Sequence, residues 1–124
     1  MVDLFYKEES YKIIGICMEV HRVLGKGFNE IIYKDALEIE FSDNKIPYGR
    51  EVPYTVEYKG RILQRQYFAD FVVYGCIILE VKAIGKLGSG DIKQTMNYQA
   101  SSKIKLGLLV NFGEESLKYQ RVVL

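Results

Sequence analysis

Asp70, Glu80 and Lys82 are residues whose types and spacing can do chemistry. Glu80 and Lys82 stand two apart in CIILEVKAIG, residues 76–85, an apolar run that reads as a strand. Alternation sends both to one face with Ile78 and Ile84, while Leu79, Val81 and Ala83 cover the other. Charged groups rarely sit in such a run unless paired or doing chemistry. Asp70 is equally out of place, flanked on its own face by Phe68 and Val72. A three-residue turn, Tyr74-Gly75-Cys76, would pair Val73 with Ile77 and set Asp70 directly opposite Glu80. A two-residue turn would send the two acids to different faces.

Opposed side chains have Cβ atoms about 4.5–5.5 Å apart, and like charges there repel. Lys82 can offset one carboxylate; a divalent cation would offset both. Two hard oxygen ligands with room for water suit Mg2+ or Mn2+. Such an ion acidifies its bound water and stabilises charge on a phosphoryl oxygen, and an ammonium beside it can orient the attacking water. Those are the parts that phosphodiester hydrolysis needs. The plainer reading makes Glu80 and Lys82 a structural pair at the sheet surface and Asp70 a turn cap.

These residues must be positioned by a small number of elements. Glu8 to Leu24 reads as a helix, with Ile13, Ile16, Cys17, Val20 and Leu24 at helical spacing and Gly25 as its stop. Asn29 is placed to cap a second helix reaching about Asp43, with Phe28 and Tyr33 as a hydrophobic staple and Tyr33, Ala36, Leu37 and Phe41 facing the core. Val52 to Tyr58 alternates like a strand, Lys59-Gly60 is a hairpin loop, and Arg61 to Val73 returns. Cys76 to Ile84 is the third strand. A helix over Asp91 to Ser101 follows, with Ile92, Met96 and Ala100 as its apolar stripe. Strands at Lys105 to Phe112 and Leu117 to Val123 complete the order ααβββαββ. The third strand, the helix and the fourth strand form a βαβ unit, so those strands are expected to be parallel. The expectation is an α/β (α+β) layered fold, a mixed sheet flanked by helices.

The 124 residues suit a single domain spanning 1–124. Hydrophobic residues make up 48% and charged residues 27%, an ordinary soluble composition with no run approaching the length of a membrane span. MVDLFYKEES lacks a signal-peptide pattern, and Cys17 and Cys76 make no disulfide framework, so a cytoplasmic location is expected. The net charge of +1 argues against a strongly basic nucleic-acid binder, but its distribution is uneven. Residues 1–44 carry five basic and nine acidic side chains, residues 45–105 ten and five. A basic face can hide in such a total; scattered solvated charge is the alternative. His21 and Cys17 sit one turn apart without further ligands, which does not make a zinc site and leaves His21 structural.

Asp70 followed by Glu80-Val81-Lys82 resembles the motif of the PD-(D/E)XK nuclease superfamily, with Ala69 where the motif's name has proline. Gln94 and Tyr98, in QTMNY, resemble the Gln-x-x-x-Tyr of RecB-type members. EVHRVLGKGFNEIIYKDAL, YFADFVVYG, ILEVKAIG and KLGLLVNFG resemble small stand-alone prokaryotic proteins named for a GxxExxxxR pattern. That likeness runs from about Ile13 to Val122. Gly27 to Glu30 is its GxxE part, and Asp35 stands where the pattern has arginine.

The resemblance implies a restriction-endonuclease-like fold and a metal-dependent nuclease-like activity, on DNA rather than RNA. It implies that Asp70 and Glu80 bind Mg2+ or Mn2+, with the Val81 carbonyl and Glu30 as further ligands. Lys82 would position water, and Gln94 and Tyr98 would shape the site. Against this, the helix macrodipole alone favours Glu30 in a first turn, and Gln94 and Tyr98 could be an exposed amide and a core aromatic. A catalytically inactive nucleic-acid- or protein-binding module of the same fold is the alternative. A chain this small needs a homodimer or another chain to supply sequence specificity.

Overall fold

The computed structural model describes residues 6–124; residues 1–5, half of the segment read above for a signal peptide, lie outside them. Eight elements follow in the order α1 (Lys7–Leu24), α2 (Glu30–Asp43), β1 (Tyr48–Tyr58), β2 (Arg61–Val73), β3 (Ile77–Lys82), α3 (Ser89–Ser102), β4 (Leu106–Asn111) and β5 (Lys118–Val123). This is the ααβββαββ order expected. The strands make one sheet in the order β1-β2-β3-β4-β5, with β3 and β4 parallel and the other neighbours antiparallel.

One face of the sheet carries the main core. Ile13, Cys17 and Val20 of α1 and Tyr33, Leu37 and Phe41 of α2 pack on Phe71, Leu79, Leu108 and their strand neighbours. Tyr33 stacks on Phe112 at 4.6 Å, and Phe41 meets Phe71 edge-on at 5.4 Å. The staple is loose: Phe28 touches Tyr33 edge-on at 6.2 Å but stays exposed. Asn29 occupies the cap position without a side-chain cap bond. His21 is structural, as read, its Nε2 bonded to the Glu114 carbonyl at 2.9 Å.

The other face belongs to α3, and here one expectation fails. The stripe of Ile92, Met96 and Ala100 is not the buried one; Met96 and Ala100 are exposed, while Thr95, Tyr98 and Gln99 are buried. The reason is Gly107 of β4. A Cβ there would lie 2.8 Å from Thr95 Cγ2, so the bare backbone admits the polar stripe of the helix and turns the apolar one outward. Gln99 Nε2 then donates to the Lys105 and Val122 carbonyls, both at 2.9 Å, tying α3 to the ends of β4 and β5.

The turn between β2 and β3 has the expected three residues. Tyr74 and Gly75 both take left-handed φ (58° and 69°), Cys76 N–H donates to the Val73 carbonyl, and the register runs Val73↔Ile77, Val72↔Ile78, Phe71↔Leu79. One further step places Asp70 opposite Glu80. Strand β1 starts at Tyr48, four residues before the alternation from Val52 suggests, because Glu51 interrupts the pattern with φ 53°.

Candidate active site

The β2–β3 ladder ends at Phe71↔Leu79. Beyond that pair the two acids take over bonds that a sheet would make with backbone carbonyls. Asp70 N–H donates to Glu80 Oε1 at 3.2 Å, and Val81 N–H donates to Asp70 Oδ2 at 2.8 Å. Carboxylates wedged between main chains hold the strands apart, leaving both acids buried at the fork, Asp70 at 9% and Glu80 at 3% exposure.

The same row alters the β1–β2 ribbon. Its pairing passes from Arg50↔Phe71 to Val52↔Ala69 and skips Glu51 and Asp70. Tyr48 packs on the α1–α2 side and Arg50 lies over the Phe71 ring, yet Val52, Tyr54, Tyr67 and Ala69 pack toward Tyr98 on the α3 side. The ribbon thus exchanges its faces at Glu51 and Asp70. The left-handed φ of Glu51 breaks the pleat as a bulge does. This is why residues from both helix layers reach one site.

Lys34 comes from α2, 8% exposed at its side chain; its Nζ pairs with Asp70 Oδ1 at 2.9 Å and with Glu51 Oε1. Sequence reasoning missed both Lys34 and Glu51. Lys34 had one available signal: it follows Glu30 by one helical turn and adjoins the core positions Tyr33 and Leu37. Lys82, by contrast, touches neither acid in a direct bond. Its Nζ donates to Gln94 Oε1 at 2.7 Å, so the exposed amide of α3 fixes the ammonium at the rim. Tyr98, one turn along α3 from Gln94, is buried with its ring edge-on to Tyr67 at 5.7 Å.

Charge explains how these groups behave together. Burial, then the neighbouring Asp70 charge, raises the Glu80 carboxyl far above the usual range, with Lys82 opposing. Glu30, half-buried at the start of α2, is raised by burial and then by Asp70, against Lys82 and Lys34. Burial alone would lower Lys34, but its bonds to Glu51 and Asp70 more than offset that and raise it. The Tyr98 hydroxyl is pushed up to about 12 by burial and then by Glu80, Asp70, Glu51 and Glu30. Four carboxyl groups and two ammoniums therefore share one basin, and it lacks positive charge.

Do these residues fit a divalent cation? Asp70 and Glu80 supply hard oxygens and the deficit calls for positive charge, which suits Mg2+ or Mn2+ held by two carboxylates and otherwise by water or substrate oxygens. Among the described residues no group of three or more His, Cys, Asp or Glu side chains converges tightly enough to cage an ion. Glu30 is thus an electrostatic neighbour of Asp70 and does not complete a three-acid cluster with Asp70 and Glu80. Asp35, at the position where the resemblance has arginine, pairs with Arg50 Nη1 at 2.8 Å, so an arginine reaches that spot from β1.

A mixed five-stranded sheet between helices, with an acid–acid–lysine set at a strand fork, defines a restriction-endonuclease-like fold. The family model of the PD-(D/E)XK nuclease superfamily matches residues 7–122, nearly the whole chain, and the chain belongs to that superfamily. Among solved structures it is similar to the crystal structure of SSO0001, at a TM-score of 0.61 and 17% identity, covering 97% of this chain. It spans 61% of the length of that protein, a likeness of fold. No curated protein matches it. Among the described residues no helix is long and apolar enough to cross a membrane.

Proposed function

We propose that residues 1–124 act as one metal-dependent nuclease domain that hydrolyses phosphodiester bonds of DNA. The observation that carries this is the convergence of two buried carboxyl groups, Asp70 and Glu80, at a strand fork with too little positive charge around them. Asp70 and Glu80 would hold Mg2+ or Mn2+, with the Val81 carbonyl beside them and Glu30 at the edge. The ion supplies an acidified water and charge stabilisation on the phosphoryl group when bound. Lys82, steadied by Gln94, orients the attacking water and balances the charge of the substrate. Tyr98 stays protonated and offers a hydroxyl in the field of the carboxylates. Family membership supports nucleic acid as partner; a homodimer would present two such sites to a duplex.

The test compares wild type with Lys82→Ala on single- and double-stranded DNA in millimolar Mn2+. A loss of about 10²–10³-fold in cleavage rate is expected, the size seen when one positioned proton-handling or charge-stabilising group is removed. Mg2+ should raise the melting temperature of wild type and leave Glu80→Gln unmoved. Wild type unmoved by either ion at millimolar levels would sink the proposal.

A second reading has an observation of its own. Both Asp70 oxygens already have partners, Lys34 and the Val81 amide. In a catalytically inactive nucleic-acid- or protein-binding module that arrangement would be permanent, and neither ion would stabilise the fold.

A further inference from the structure

Strands β1 and β2 outrun the rest of the sheet. β3 pairs with β2 only from Phe71 to Val73, so the ribbon from Glu51 around the Lys59-Gly60 turn to Asp70 projects beyond it. α3 supports its base through Tyr54, Tyr67 and Tyr98. Farther out, residues 57–66 are exposed on both faces. At about 3.3 Å per residue the arm reaches on the order of 25 Å. An isolated two-stranded ribbon is marginal in water, so an arm of this length gains from an occupant.

Its chemistry selects that occupant. Lys59, Arg61 and Arg65 stand near the tip against one acid, Glu57. Among the described residues neither Arg61 nor Arg65 forms an ion pair, and Lys59 lies over the Tyr58 ring at 5.5 Å. The molecule's other arginines with carboxylates at hand, Arg22 and Arg50, are paired. Three cations against one acid thus share one projection, and both of its arginines are without a carboxylate partner among the described residues. That projection begins at Asp70, one residue of the proposed site.

We propose that this hairpin is a DNA-gripping arm, lying in the major groove of a B-form duplex with Lys59, Arg61 and Arg65 against backbone phosphates. The inference rests on the nuclease reading and adds the form of the substrate. The major groove is about 12 Å wide and admits a two-stranded ribbon, whereas the major groove of A-form RNA is too narrow. The cations supply affinity and register; the carboxyl groups of Asp70 and Glu80 at the arm's base would hold the ion that assists the cut.

The test measures binding of a 20-base-pair DNA duplex by fluorescence anisotropy in EDTA, from 50 to 200 mM KCl. Each phosphate-neutralising cation contributes about 0.9 to the salt slope on B-DNA. The triple variant Lys59→Ala/Arg61→Ala/Arg65→Ala should bind at least about tenfold more weakly at the lowest salt, with a slope shallower by about 2–3. The charge-keeping pair Arg61→Lys/Arg65→Lys should retain the wild-type slope. An equally long RNA duplex and a single strand should bind more weakly than the DNA duplex. An unchanged slope in the triple variant, equal affinity for the RNA duplex, or no DNA binding by wild type overturns the proposal. So does a wild-type dimer in sedimentation that dissociates on Ile62→Ser, which would make the exposed Ile62 part of a self-association surface. The two readings fail separately: cleavage and Mg2+ stabilisation surviving with no arm effect leaves the nuclease reading standing. A salt slope carried by the arm, without either, leaves only the binding.

Discussion

The two faces of the sheet are built to different ends. The α1–α2 face is sealed by large apolar groups, including Tyr33, Phe41, Phe71 and Phe112, with no exposure at all. The α3 face holds a small cluster of Ala69, Val72, Ile78 and Tyr98, and beside it the buried acids. Burial stabilises the first face. The second keeps Asp70 and Glu80 dry at a cost the first can bear. A protein that must bury two carboxyl groups side by side separates the work: one face supplies the folding energy and the other bears the cost of taking the acids out of water.

The largest effect should come from the sealed face. Phe71→Ala removes a fully buried ring and should lower stability by about 3–5 kcal/mol, read by chemical denaturation. If the α3 face carried equal weight, Ile78→Ala would cost as much. Next is the bridge between the faces. Lys34→Ala leaves Asp70 and Glu51 without their cation and should cost about 2 kcal/mol, below a fully buried pair because Glu51 is half exposed. Millimolar Mg2+ should recover much of that loss, as no hydrophobic substitution would allow.

The third test is pH. The native Glu80 carboxyl is raised above its ordinary value of 4.5, so the folded chain holds a proton that the unfolded chain releases. Stability should therefore be full below about 4.5 and decline as pH climbs toward the raised native value. Glu80→Gln should flatten that part of the curve, by melting temperature between pH 5 and 9. The smallest effect lies outside both faces. Arg22→Ala breaks an exposed pair with Glu19 and should leave the denaturation midpoint indistinguishable from wild type, at low salt and at high.

Much of this was legible in the chain. The element order and parallel β3–β4 pair followed from periodicity and turn residues. The opposition of Asp70 to Glu80 followed from counting through one turn, since a period of two leaves only two choices of face. The Lys34–Asp70 and Lys34–Glu51 pairs were not legible because they join an element edge to strands 36 and 17 residues away, and no local pattern encodes such contacts. The apolar stripe of α3 misled for a related reason. Hydrophobic spacing assumes an apolar partner surface, and Gly107 offered a notch that fits Thr95 and Gln99 instead. The start of β1 was hidden by the left-handed Glu51, which breaks the alternation that strand reading depends on.

The Tyr74-Gly75-Cys76 bend has a consequence for how this chain can change over generations. Surface bends ordinarily accept gained or lost residues with little harm. Here the bend acts as a gauge: deleting Gly75 would reverse the parity of β3 against β2 and point Glu80 and Lys82 into the greasy layer beneath α1. The hairpin could still zip, but its chemistry would be inside out.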